Sequence, residues 1–269
     1  MGEGRAIGLF DSGVGGLTVV EEIFRQVPHE EIVYFGDTAN VPYGGRPVSQ
    51  LISFADRIIN FLVQQGAKYI IFACNTSSSV SLGVMRERYP VPMMGLIEPG
   101  ARAAVRATSN GRIGVLATEA TIRSGAYARV IRQLSPEAEV LDMPAPKLVP
   151  LVEAGELASI RAEAALREYL DPLKRRGIDT LVLGCTHYPF LRDLICKILG
   201  PEIALVDPAA ATVAAARNEL DALGLLASPR VSAPNHRFYV SGDAASFARV
   251  AGLCLQRELL RVNELRLTG

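Results

Sequence analysis

Short apolar runs separated by amphipathic stretches set the pattern of this chain from its first residues. "RAIGLFD" leads into "GGLTVVEEIFRQV", where Leu17, Val20, Phe24 and Val27 recur on one helical face. "EIVYFGD" leads to "VSQLISFADRIINFLVQQG", with Leu51, Phe54, Ile58 and Phe61 or Leu62 turned inward and Gly66 as terminator. "KYIIFAC" and "VPMMGLIE" supply a third and a fourth run. Strands alternating with helices predict an α/β fold of mainly parallel sheets covered on both faces by helices.

The pattern then restarts. "GRIGVLAT" reads as a strand and "TIRSGAYARVIRQL" as one helix, followed by a strand at "AEVLDM" and an irregular piece around "PAPKLVP". A long helix is expected over "LASIRAEAALREYLDPLKRRG", then a strand at "IDTLVLGC", a helix at "PFLRDLICKIL" and a strand at "EIALVDP". The tail reads as helix, strand, helix, ending on "AASFARVAGLCLQREL". "IGLFDSG" opens one half and "IGVLATEAT" the other, while "YIIFACNT" and "TLVLGCTH" come later in each. The expected architecture is two similar lobes, 1–97 plus 208–269 and 98–207, with the site in the cleft between them. Parallel sheets bind ligands at the carboxyl ends of their strands, and the chemically informative residues fall there.

Two of the four cysteines, Cys74 and Cys185, occupy those matching strand ends, each followed by small polar residues. Cys196 and Cys254 fall inside helical patterns and read as small apolar side chains. Two thiols facing one another across a cleft suit one chemistry: one thiolate removes a proton from carbon, and the other, as thiol, returns one to the opposite face. A free thiol with a pKa near ~8.5 needs help to do this at neutral pH. Asp11, ending the first strand, and His187, two residues after Cys185, are the candidate helpers.

"DSGVGGLT" nearly reproduces a dinucleotide fingerprint, but Thr18 stands where the third glycine belongs. Asp11 before the turn would repel a pyrophosphate. The segment reads instead as a turn presenting Asp11 and Ser12 to the cleft. "VPYGGR" is a loop whose N–H groups and Tyr43 suit a carboxylate, or an ordinary Pro/Gly turn.

Composition narrows the partners. The 28 basic and 28 acidic residues balance, giving no pull toward nucleic acid or an anionic membrane surface. No apolar run reaches the ~18 residues of a membrane span, and the opening residues do not resemble a signal peptide, so a cytoplasmic chain is expected. No close-spaced Cys/His set suggests a metal. Lys68, Lys147, Lys174 and Lys197 all lie away from polar strand ends, which disfavours a Schiff-base cofactor; none is expected.

Taken in order, "FDSGVGGLTV", "YFGDTANVPYGGR", "ACNTSS", "IEPG", "ATIRSGAY", "LVPLVE", "LVLGCTHYPFL" and "FYVSGD" resemble the glutamate racemase family over nearly the whole chain. The resemblance implies a cofactor-independent isomerase that interconverts L- and D-glutamate and supplies D-glutamate for peptidoglycan. It implies Cys74 and Cys185 as the two acid/base groups, Asp11 assisting the first, His187 assisting the second, and Glu153 in support. Ser12, Tyr43, Gly44, Asn75, Thr76 and Thr186 match substrate-binding positions, with Asp11, Thr118, Thr121 and His187 lining the same pocket. Members are commonly homodimers. Alternatives are a racemase for aspartate or another acidic substrate, a nucleotide-binding regulatory module built on "DSGVGG", and a thiol redox protein with a Cys74–Cys185 disulfide.

Overall fold

A computed structural model describes residues 6–229, 232–255 and 261–267. The first half of the chain runs β1 (Ile7–Asp11), α1 (Leu17–Gln26), β2 (Ile32–Gly36), α2 (Val48–Gln64), β3 (Tyr69–Phe72), α3 (Asn75–Val80), α4 (Leu82–Arg88) and β4 (Met93–Gly95). Then come α5 (Ile97–Ala107), β5 (Arg112–Ala117), α6 (Glu119–Ser124), α7 (Ala126–Leu134), β6 (Glu139–Pro144), α8 (Leu148–Glu153), α9 (Ile160–Arg175), β7 (Thr180–Gly184), a 3-10 turn (Tyr188–Leu191), α10 (Arg192–Leu199) and β8 (Ala204–Val206). The tail contributes α11 (Pro208–Ala222), β9 (Arg237–Val240), α12 (Ala244–Leu255) and β10 (Val262–Glu264).

Two wholly parallel sheets result, ordered β10-β9-β2-β1-β3-β4 and β6-β5-β7-β8. Every residue of β1, β2, β3 and β7 is buried, as continuous apolar runs require when helices cover both faces. The edge strand β6 has no fully buried residue. In each sheet the chain steps from its first strand to one side (β2, β6) and then crosses to the other (β3, β7). The switch points therefore lie between β1 and β3, and between β5 and β7, where ligands bind in such sheets. The two sheets are built alike. Ile7 pairs with Tyr69 and Ile113 with Thr180, and the same number of residues further on stand Cys74 and Cys185.

Strands β9 and β10 return to the first sheet, while Ala101 and Ala104 of α5 pack with Ile113 and Val115 of the second and with Tyr127 of α7. We propose on this basis that the lobes divide as 1–97 plus 208–269 and 98–207. One continuous apolar cluster joins them, running from Leu9 and Val20 to Leu166 and Leu181.

The structure differs from the sequence reading in several places. Helices α4 and α5 fall on stretches that the sequence reading leaves without an element, and of the expected strand "VPMMGLIE" only Met93–Gly95 is β4, its Ile97 and Glu98 opening α5. "TIRSGAYARVIRQL" forms two helices, because Gly125 between them takes a left-handed φ of 62°. "PAPKLVP" contains α8, whose buried Leu148, Val149, Leu151 and Val152 form a short apolar face that its prolines disguise. The short edge strand β10 was not expected. Helix α12 is described to Leu255; the rest of its expected run, 256–259, lies outside the described residues, as does Arg5 of the first expected strand.

Candidate active site

Pairing of β1 with both β2 and β3 sets Asp11 beside the end of β3, so Asp11 and Cys74 emerge from neighbouring strands at the same sheet end. Cys74 is the extended residue that caps α3, and Cys185 follows β7 directly. Both are free thiols, 4% and 6% exposed. They line one cavity of about 180 Å³. That is below the ~300–1,000 Å³ typical of drug-sized ligands, and it suits something the size of an amino acid.

The first lobe contributes Ser12, Tyr43, Gly44, Cys74, Asn75 and Thr76 to this wall, and the second contributes Thr118, Cys185, Thr186 and His187. Pro42, Gly45, Glu119, Pro146 and Val149 also line it; Pro42 and Gly45 belong to the "VPYGGR" loop, and none of the five was singled out as a site residue from the sequence. Asp11, Thr121 and Glu153, also named from the sequence, stand behind the wall. Asp11 is fully buried, its Oδ1 accepting the Gly13 N–H at 2.8 Å and its Oδ2 the Thr186 hydroxyl at 3.0 Å. The Thr76 hydroxyl bonds across the lobes to those of Thr118 and Thr121 at 2.8 and 3.4 Å, and these two bond each other at 3.0 Å. Tyr43 donates to Asp37 at 2.6 Å, and the Gly44 carbonyl accepts the Ala120 N–H at 3.0 Å.

The two thiols meet opposite electrostatics. Burial pushes the Cys74 thiol well up, and the Asp11 carboxylate and Cys185 push the same way. The N–H groups of Ser77 and Thr76 face the sulfur and partly offset this. Cys74 therefore carries its proton at neutral pH. On the other side the Cys185 sulfur lies 3.7 Å from His187 Nδ1, and His187 Nε2 lies 2.6 Å from Glu153 Oε1. Burial alone would pull the imidazole down. Hydrogen bonds to Cys185 and Glu153, and their charges, outweigh that and hold it well above the ordinary histidine value. Burial would raise Glu153, but the bond and charge of His187, helped by the Val14 N–H, keep it below the usual carboxylate value. An imidazolium donating Nδ1–H to sulfur and Nε2–H to carboxylate satisfies both contacts. Asp11 itself is raised by burial, against the opposing charge of His187. The chain thus presents a thiol beside an anion and a sulfur beside a cation, on the wall of one small cavity.

The glycine turn serves this arrangement. A Cβ on Gly13 would collide with the Glu153 carboxylate, and one on Gly15 with the His187 ring. The Val14 N–H donates to Glu153 Oε1 at 3.0 Å. Turn N–H groups that a dinucleotide pyrophosphate would use are thus engaged by carboxylates. Two tyrosines carry contacts that the sequence did not announce. Tyr188, beneath Cys185, donates its hydroxyl to the Ala145 carbonyl at 3.0 Å. Tyr127 donates to Asn75 Oδ1 at 2.6 Å.

The sequence profile of the Asp/Glu/hydantoin racemase family matches residues 7–216. A glutamate racemase of Desulforudis audaxviator is 57% identical over 264 residues, spanning 96% of this chain and 97% of its own. Among solved structures, the Bacillus anthracis glutamate racemase isoform RacE1 matches with a TM-score of 0.94 at 37% identity over 98% of each chain. A Francisella tularensis glutamate racemase in complex with D-glutamate matches with a TM-score of 0.90 at 35% identity, also over 98% of each chain.

Proposed function

The chain belongs to the Asp/Glu/hydantoin racemase family, and from that premise we propose that it interconverts L- and D-glutamate by passing a proton through the α-carbon between two cysteines. The observation that carries this is the pair of buried thiols on one cavity wall, supplied by equivalent strands of two similar sheets and set in opposite charge environments.

In the L-to-D direction, the Cys185 sulfur, 3.7 Å from His187 Nδ1, takes the α-proton of L-glutamate as a thiolate. The electron pair left behind spreads onto the α-carboxylate. Cys74 then gives its thiol proton to the opposite face. One proton has left carbon for Cys185 and another has reached carbon from Cys74, so the reverse direction starts with the roles exchanged. Assignment of Cys185 to L-glutamate and Cys74 to D-glutamate follows the family resemblance. Charge that grows on the carboxylate calls for fixed donors, and in a dry cavity these are strong. Ser12 and Asn75 take that role, with Tyr43, Gly44, Thr76, Thr118 and Thr186 completing the wall. Asp11 and Glu153 act from behind through their charges, and Thr121 through its bond to Thr118.

The reading extends to a cytoplasmic homodimer whose D-glutamate supplies peptidoglycan synthesis. It is supported by the family resemblance, and among the described residues no helix is long and apolar enough to cross a membrane. Light scattering on the purified chain tests the dimer, and a monomer at micromolar concentration would remove it. For the activity, the chain without added cofactor is incubated with either enantiomer of glutamate, with aspartate as comparison, and optical rotation is followed. Decay from both sides to the racemic mixture is expected. An unchanged signal from glutamate would sink the proposal, and faster loss from aspartate would move it to the other substrate.

A further inference from the structure

Asn75 opens α3 on the cavity wall, 2% exposed, and its amide nitrogen Nδ2 is buried without a hydrogen-bond partner. Among the described residues with such an unpaired buried side-chain atom, it alone lines this cavity. The other end of the same amide is held: Oδ1 accepts a 2.6 Å hydrogen bond from the hydroxyl of Tyr127, which belongs to α7 in the opposite lobe. Tyr127 is 2% exposed. Burial first, and then the charges of Asp207 and Cys185, hold its phenol well above the ordinary tyrosine value, so it keeps its hydrogen across the working pH range.

That hydrogen decides which way the amide faces. Turned over, Asn75 would donate Nδ2–H to the phenol oxygen. The phenol hydrogen would then lose its acceptor, and Oδ1 would face the cavity. Two groups would be left unsatisfied instead of one, at about 1–3 kcal/mol each. We infer that Tyr127 is a positioning residue: its bond across the lobes fixes the Asn75 amide so that Nδ2 is presented as a donor to the carboxylate of the bound substrate.

The neighbouring hydroxyls explain why this donor matters. Thr186 already gives its hydrogen to Asp11, and Thr76 and Thr118 bond within their own triad. Nδ2 is a side-chain donor left free for an incoming anion, beside the Ser12 hydroxyl on the same wall. Its position is set before substrate arrives, which is what stabilisation of developing charge requires. The bond also makes this orientation conditional on closure of the lobes, because its two partners sit on different sheets.

The inference rests on the reading of the cavity as the glutamate site. Its test is a double-mutant cycle on the full chain: Tyr127→Phe, Asn75→Ala and the pair, assayed in both directions beside the unmodified protein, with thermal unfolding of each. Tyr127→Phe is expected to lower kcat/KM about ten- to a hundredfold. In the Asn75→Ala background the same change is expected to cost less than about threefold, because the amide it orients is gone. Equal losses in both backgrounds, or a Tyr127→Phe variant within about twofold of the parent, would overturn the inference. Asn75→Asp covers the case of a poorly folding Tyr127 variant. It keeps the acceptor for Tyr127, removes the donor and sets a carboxyl against the substrate carboxylate, so it is expected to fold and to be at least as impaired as Asn75→Ala, and retained activity would overturn the inference. Parent protein inactive on glutamate would instead refute the glutamate reading, and this inference with it.

Discussion

A carboxylate stands beside one thiol and an imidazolium beside the other, and this asymmetry of neighbours fits a reaction needing one acid and one base at once. Glu153 maintains half of it. Replacing it by glutamine removes a negative charge that favours the protonated ring. The proton affinity of His187 then falls, and the alkaline limb of the pH profile of kcat/KM moves to lower pH. A loss of at least about tenfold in kcat is expected as well; an unmoved limb would show that Glu153 does not act through His187. Asp11 gives the complementary prediction. Its folded-state proton affinity is raised by burial, so its charge costs stability above its folded pKa, and that cost is relieved as pH falls. Asp11→Asn should therefore melt higher than the parent at neutral pH, by a margin that shrinks toward acid, while losing activity. Calorimetry across pH checks the sign. At this scale the sequence was legible where chemistry was local. Cys185 and His187 are two apart, and the polar tripeptide after Cys74 announced itself. The partners of Asn75 and His187, Tyr127 and Glu153, were not readable as partners, because 52 and 34 residues separate them and only the fold closes those gaps.

Elements set these side chains by register and by room. The turn between β1 and α1 needs Gly15 because the His187 ring and the Thr186 hydroxyl occupy the place of its Cβ. Gly15→Ala should displace both, costing about 1–3 kcal/mol and most of the activity, as thermal unfolding and a racemase assay will show. Gly125 offers the opposite case: nothing stands within 4 Å of an added Cβ, so only its left-handed φ of 62° resists substitution. Gly125→Ala should cost about 1–2 kcal/mol through backbone strain alone. Activity should survive it, because no site residue stands near that Cβ, and loss of most of the activity would contradict this. The buried strands were legible because residues covered on both faces are apolar without interruption. Helix α8 and the α6–α7 break were not, since Pro146 and Pro150 suggested a loop and Gly125 sat inside an unbroken helical period.

At the scale of the molecule, two sheets of matching connectivity bring equivalent strand ends to one cavity, and polar bonds across the lobes close it: Asp11 to Thr186, Val14 to Glu153, Thr76 to Thr118, and Tyr127 to Asn75. The repeat behind this was visible in the sequence as two strand-end cysteines. Closure was not, because it depends on pairs drawn from distant segments. The central claim is that each face of the α-carbon is served by its own thiol. L-Glutamate incubated with the chain in deuterium oxide, stopped early and separated by chirality, tests it by mass spectrometry. Two thiols predict deuterium at the α-carbon of the D-glutamate formed and none in the L-glutamate that remains. Deuterium in both from the start would mean one group serving both faces, and would contradict the account.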